Sequence, residues 1–131
     1  MFTASTSRKL QLVDITNKVR EIVRKKSFTG VCHIYVPHAT AGVIINEFEP
    51  HLERDFYTVF ERMLPNVQFD HDSIDDNASA HLLSALVGCG VSVPVKDGAL
   101  TLGTWQRILL CEFDGPRERT VVLTLIPGEM V

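Results

Sequence analysis

No stretch of the sequence approaches the ~18 consecutive apolar residues of a membrane-spanning helix, so no membrane partner is expected. A basic excess is missing too: 13 Lys and Arg face 16 Asp and Glu, for a formal charge of −3. Nucleic-acid backbones attract dense positive charge. The one basic cluster, Arg24-Lys25-Lys26, ends a predicted helix, where cations suit the negative pole of the dipole. No nucleic-acid partner is expected. Cysteine is scarce: Cys32, Cys89 and Cys111 cannot all pair within one chain and show no CxxC spacing. Two of them lie in apolar strand-like runs, the setting of a reduced core thiol. The opening MFTASTSRKL lacks the apolar stretch of a secretory signal. A reducing, cytoplasmic location is the expectation. Absent also are a GxSxG nucleophile elbow and any HxH or HExxH pairing. GALTLGTWQ has glycines spaced as in a phosphate loop, but Thr104 stands where a lysine should follow Gly103.

What is present is an ordinary globular balance, 45% hydrophobic and 22% charged over 131 residues, enough for one domain spanning 1–131. Mean hydropathy is +0.10, slightly apolar for so short a chain. Part of that surface is therefore expected between subunits.

Residues 8–13 read as an opening strand, and Asp14 as the cap of a helix whose stripe is Ile15, Val19, Ile22 and Val23. VCHIYV and VIINEF read as strands joined by the turn PHATAG. Pro50 opens a second helix with Leu52, Phe56, Val59, Phe60 and Met63 as its apolar side. Residues 66–76 form a polar loop. Asp76 or Asn77 caps a third helix, whose apolar side is read as Ala78, Leu82, Ala85 and Leu86. VSVPV and ALTL flank Lys96-Asp97-Gly98, a hairpin signal, and Pro94 marks an edge or bulge. A tight turn at Gly103 is expected to form a further hairpin, and RILLCEF and TVVLTLI are the last strands. The class is α+β, mainly antiparallel, with about three helices.

His38 follows an apolar strand, His71 lies in the acidic loop, and His81 falls early in the third helix. Three imidazoles meeting at one point would hold zinc or a similar metal and leave a position open. Singly, each histidine reads as a surface or hydrogen-bonded residue. The carboxylates of FDHDSIDD suit either magnesium, a second layer around imidazole, or a solvated loop. Glu47 ends an apolar strand, where catalytic side chains often emerge; Arg54 and Asp55 read as a surface ion pair. Trp105, the only tryptophan, has a face for a heteroaromatic ring or for packing, with Gln106 beside it. Arg117, among Glu112, Asp114 and Arg119, has the fork that grips a phosphate.

PHATAGVIINE, the DHD…N…AHLLSALVG segment and VPVKDGALTLGTWQRILLCEFDGPR resemble the YjbQ family, in order, over roughly residues 30–125. The resemblance implies a homotrimer of α+β subunits with pockets near subunit boundaries, and a secondary thiamine-phosphate synthase activity. That transferase joins a pyrimidine diphosphate to a thiazole phosphate. His38, His71 and His81 fall on recurrent histidine positions, implying a divalent metal, zinc or magnesium. Glu47, Asp55, Gln106 and Glu112 are implied as catalytic residues, and Thr40, Trp105 and Arg117 as ligands of a small phosphorylated metabolite. Phe48, Leu83 and Cys89-Gly90 depart from common family residues; the loss of a lysine at Leu83 bears on which phosphate is bound. The same histidines also suit a metal-dependent hydrolase or lyase, or a trimer that binds a metal or ligand without catalysis.

Overall fold

Cys32 and Ile34, Val93 and Val95, and Val121 each fall on one side of their strand, and that shared apolar face builds the larger of two sheets. The computed structural model describes residues 1–131. Strands are β1 (Phe2–Ser5), β2 (Gln11–Asp14), β3 (Gly30–Tyr35), β4 (Ala41–Asn46), β5 (Gly90–Lys96), β6 (Ala99–Leu100), β7 (Arg107–Glu112) and β8 (Glu118–Pro127). Helices are α1 (Thr16–Arg24), α2 (Pro50–Arg62) and α3 (Ala78–Val87), with a 3-10 turn at Asp70–Ser73. The larger sheet has the order β1-β8-β3-β5-β6 and the smaller β2-β7-β4. Every pairing is antiparallel.

The smaller sheet is covered on both faces, which explains why β7 reads as a continuous apolar run. Ile108 and Leu110 face the larger sheet and α1, meeting Val19, Ile34, Val43 and Val95 in the main core. Leu109 and Cys111 face the other way, onto Phe60 of α2 and Leu83 of α3. Burial pushes the Cys111 thiol up to about 12 and that of Cys32 up to about 11, so both remain protonated core groups.

The helix ends follow from local chemistry. Glu49 accepts the N–H groups of His51 and Leu52 at the start of α2, with Pro50 next, and these bonds hold its carboxyl down to about 2. Neither Asp76 nor Asn77 caps α3 with its side chain. Asp72 Oδ1 accepts the Ala78 N–H at 3.0 Å instead, which leaves the Asn77 amide for other partners. Asp97 and Gly98 both have positive φ, as the turn from β5 to β6 requires. β5 pairs with β3 on one side and on the other is bordered only by the two residues of β6; the Pro94 carbonyl accepts from Thr101 on that outer side, where no long ladder needs its missing N–H.

Several expectations need correction. The opening strand begins at Gln11 rather than at residue 8, and Phe2–Ser5 adds a strand along β8. The Gly103 turn does not make a hairpin; it carries the chain from the larger sheet to the smaller. On α2, Phe60 is buried but Val59 and Met63 are exposed. On α3 the inward face is Ala78, Ala80, Leu83 and Ser84, while Leu82 and Leu86 face outward. Ser84 tolerates burial because its hydroxyl donates to the Ala41 carbonyl at 2.6 Å. Gly42 lets the helix close on β4, since a Cβ there would lie 2.6 Å from the Gly88 oxygen.

This assignment of faces predicts that Leu83→Ala lowers the unfolding free energy by about 2–5 kcal/mol. Leu86→Ala, on the exposed face, changes it by less than about 0.5 kcal/mol. Urea denaturation of the two variants checks the order, and a larger loss at Leu86 contradicts it.

Candidate functional site

The segment from Glu112 to Arg119 joins the two sheets, and the polar groups gather there. Glu112 ends β7 facing inward, with none of its surface exposed; Arg119, early in β8, is 3% exposed. The two form a buried ion pair in which Arg119 Nε lies 3.0 and 3.1 Å from the two carboxylate oxygens and its terminal nitrogen also bonds Oε2. Thr6 donates its hydroxyl to Glu112 Oε1 at 2.7 Å. Asp114 N–H donates to Oε2 at 3.2 Å. Arg119 also donates to the carbonyl and the hydroxyl of Thr40, at 3.1 and 2.9 Å. Every polar atom of the pair is thereby satisfied, the condition for keeping two charges out of water.

Two of the residues expected at the site are engaged within the chain. Glu112 has no oxygen left over for a substrate or a moving proton; it positions the backbone at Asp114. Thr40 serves Arg119 rather than facing an open site.

From Asp114 the network continues outward. Arg117 donates to the Asp114 carbonyl at 2.8 Å and to Oδ2 at 3.1 Å, and Asn77 Nδ2 donates to the same Oδ2 at 3.1 Å. Burial raises the Asp114 carboxyl, but the Asn77 bond, the Arg117 bond and charge, and the Lys9 charge outweigh it and hold it below the usual carboxylate range. The Asn77 Oδ1 atom lies 2.8 Å from His71 Nε2. With the amide nitrogen committed to Asp114, that oxygen accepts from Nε2–H, which leaves the His71 Nδ1 lone pair free. His81 completes the group, its ring edge-on to His71 with centroids 4.9 Å apart.

His38 is held separately. Its Nε2 accepts the Thr120 backbone N–H at 2.8 Å, placing the ring proton on Nδ1. Burial, then the Arg119 charge, lowers its pKa, with Glu112 opposing and Arg117 adding to the shift, so the neutral form is favoured. No three His, Cys, Asp or Glu side chains of the chain converge to hold a metal. The three-imidazole centre expected from the sequence is not assembled within the chain: His71 and His81 stand together, while His38 gives Nε2 to the Thr120 backbone.

Gly115 is the close approach that makes this turn possible: a Cβ there would lie 2.2 Å from the Arg8 carbonyl and 2.8 Å from Glu112 Cγ. Its N–H donates to the Lys9 carbonyl at 3.1 Å.

The remaining candidates lie elsewhere. Asn46 pairs with Arg107 and Ala41 with Glu112, so Glu47, Trp105 and Gln106 sit at the opposite end of β7 from Glu112. That strand spans about 17 Å. Trp105 is 72% exposed. Gln106 Oε1 accepts the Gly103 N–H at 2.9 Å and so closes the turn. Asp55 is exposed on α2, with no ion pair to Arg54. Sequence reasoning missed Asn77 as a bridge and Arg119 as the buried counter-charge. The signal available for Arg119 was its place in an otherwise apolar strand; for Asn77 there was none beyond its position before a helix.

A two-sheet α+β domain with a histidine pair and an arginine gathered at one sheet junction is the class of protein these observations define. The sequence matches the family described as UPF0047 protein YjbQ-like over residues 1–128. A UPF0047 protein of Archaeoglobus fulgidus is 43% identical over 122 residues, covering 92% of this chain and 95% of that one. A YbjQ-like protein of unknown function from Sulfolobus solfataricus superposes with a TM-score of 0.92 at 41% identity, over 97% and 94% of the two chains. A hypothetical protein of Aeropyrum pernix does so with 0.91 at 43% identity, over 97% and 96%. The chain belongs to the YjbQ/UPF0047 family.

The buried pair predicts that Glu112→Gln, which strands the Arg119 guanidinium, costs about 3–5 kcal/mol of stability, whereas the double variant Glu112→Leu/Arg119→Met regains most of it. Chemical denaturation of the three proteins measures this. A Glu112→Gln protein as stable as the wild type contradicts the assignment.

Proposed function

We propose that this junction is the site of an enzyme acting on a small phosphorylated metabolite, and that its reaction is a transfer of the thiamine-phosphate synthase kind. The observation that carries the reading is the Asp114–Asn77–His71 chain beside His81 and Arg117. A carboxylate and an amide orienting one imidazole is how proteins prepare a histidine to bind a metal or to exchange a proton. The residues fit a divalent ion in part: His71 Nδ1 and His81 supply two nitrogen donors, and the remaining positions fall to other groups. Such an ion, when bound, would neutralise charge on phosphate oxygens.

The chain's own groups have definite tasks in this scheme. Arg117 keeps N–H groups directed outward after its two bonds to Asp114, and these hold a phosphate or the departing pyrophosphate. His38, neutral with Nδ1–H, is a donor that places no charge beside Arg117 and Arg119. The C–O bond between the pyrimidine methylene and its diphosphate breaks, the thiazole nitrogen forms the new C–N bond, and pyrophosphate leaves with the bonding electrons. Charge on that leaving group is what the arginine and the fixed dipoles stabilise.

Glu47, Trp105 and Gln106 take part only if another subunit brings them to this end of β7. Accordingly the working unit proposed is a homotrimer. Val59 and Met63 on α2, and Leu82 and Leu86 on α3, are each one turn apart and exposed, and give the subunit apolar faces to cover. Sedimentation equilibrium is expected to give three times the 14.7 kDa of the chain. A monomer at all concentrations removes the trimer.

Incubation with the pyrimidine diphosphate, the thiazole phosphate and a divalent cation is expected to yield thiamine phosphate. Arg117→Ala lowers kcat/KM by about 10- to 150-fold, the equivalent of the ~1.5–3 kcal/mol of a hydrogen bond to a charged group. His81→Ala abolishes the metal dependence. Product formation no greater than with His81→Ala ends the transferase reading.

A further inference from the structure

A cavity of about 560 Å³ opens between the end of α2, the loop that follows it and the first turn of α3. Asn77, which bonds His71, lines it, but neither His71 nor His81 does, and nothing in the transfer chemistry uses it. Its volume falls within the ~300–1,000 Å³ of small-molecule sites. The floor is apolar: Phe60, Leu83 and Phe113 are buried there, and the two phenylalanine rings meet edge to face at 5.2 Å. Leu64 and Phe69 form half-buried walls.

The mouth has the opposite character. Its lining carboxylates are Glu61 and Asp76, both exposed, and the half-buried Asp72, against a single cation, Lys9. Asp72 is committed to the α3 cap, and the Lys9 charge acts on Asp114. Glu61 and Asp76 form no ion pair within the chain. An aromatic floor beneath a net acidic rim is complementary to one kind of molecule. We propose that this cavity binds an organic cation, an apolar or aromatic body carrying one protonated nitrogen. The body displaces water from Phe60 and Phe113, and the ammonium or amidinium lies at the rim opposite Glu61 and Asp76. An anion of the same shape would meet those carboxylates instead. Binding requires no turnover, so the proposal stands apart from the transfer chemistry.

Three probes of one shape test it: phenethylammonium, 2-phenylethanol and 3-phenylpropionate, titrated into the full-length 15N-labelled protein. Phenethylammonium is expected to shift the amides of residues 60–69 and 76–83 saturably, with a Kd of about 1 mM or tighter. The alcohol is expected to bind several-fold more weakly, and the anion at least about tenfold more weakly, the scale of ~1.4 kcal/mol. Glu61→Gln/Asp76→Asn removes the advantage of the amine and leaves the alcohol unchanged, which also shows that the cavity is intact. Equal binding of amine and anion overturns the proposal. So does the absence of saturable shifts, or a cavity that becomes accessible only on dilution because a second copy fills it.

Discussion

A charge pair sealed inside a small protein constrains everything built around it. Glu112 and Arg119 come from adjacent ends of the two sheets, and each is stable in the interior only while the other stands opposite it. Their bonds to Thr6 and Thr40 bring in the segment after β1 and the turn before β4, so four stretches of chain are locked to one another. Because Asp114 N–H bonds Glu112, the turn that follows inherits its position from that pair. The outer groups follow in sequence: Asp114 holds Asn77, and Asn77 holds His71. A rigid interior thus sets the orientation of an imidazole near the surface.

The same logic separates structural from chemical charges. The deepest carboxylate, Glu112, is the least suited to chemistry because its acceptor directions are full. Arg117 is more exposed and only partly engaged, and so remains available to a ligand. His38 and His71 hydrogen-bond through the same ring atom but in opposite roles: Nε2 accepts in His38 and donates in His71. Identical side chains are thereby given different lone-pair positions, which is how one junction can offer both a donor and a ligand.

Much of the fold was legible because it rests on local rules. Asp97-Gly98 announced its turn, Pro50 its helix start, and the alternation of Cys32, Ile34 and Val36 in residues 31–36 its strand. The family resemblance followed from the GTWQ and EFDGPR segments. Where reading failed, tertiary contacts had overridden local pattern. Leu82, Leu83 and Leu86 are chemically alike, and the inward face of α3 was fixed by Ser84 reaching the Ala41 carbonyl and by the space above Gly42. The sequence singled out three histidines, of which His71 and His81 stand together while His38 bonds the Thr120 backbone. Spacing carries no trace of that. The division of Glu47, Trp105 and Gln106 from Glu112 and Arg117 is likewise a matter of strand length, invisible until β7 is known to run from one cluster to the other.

The claim that the interior pair dictates the histidine chemistry is tested most directly by long-range 1H–15N correlation spectra of the imidazole rings at neutral pH. The account predicts that His71 carries its proton on Nε2 and His38 on Nδ1, each as a single dominant tautomer. A His71 ring protonated at Nδ1, or both rings averaging freely between tautomers, would contradict it.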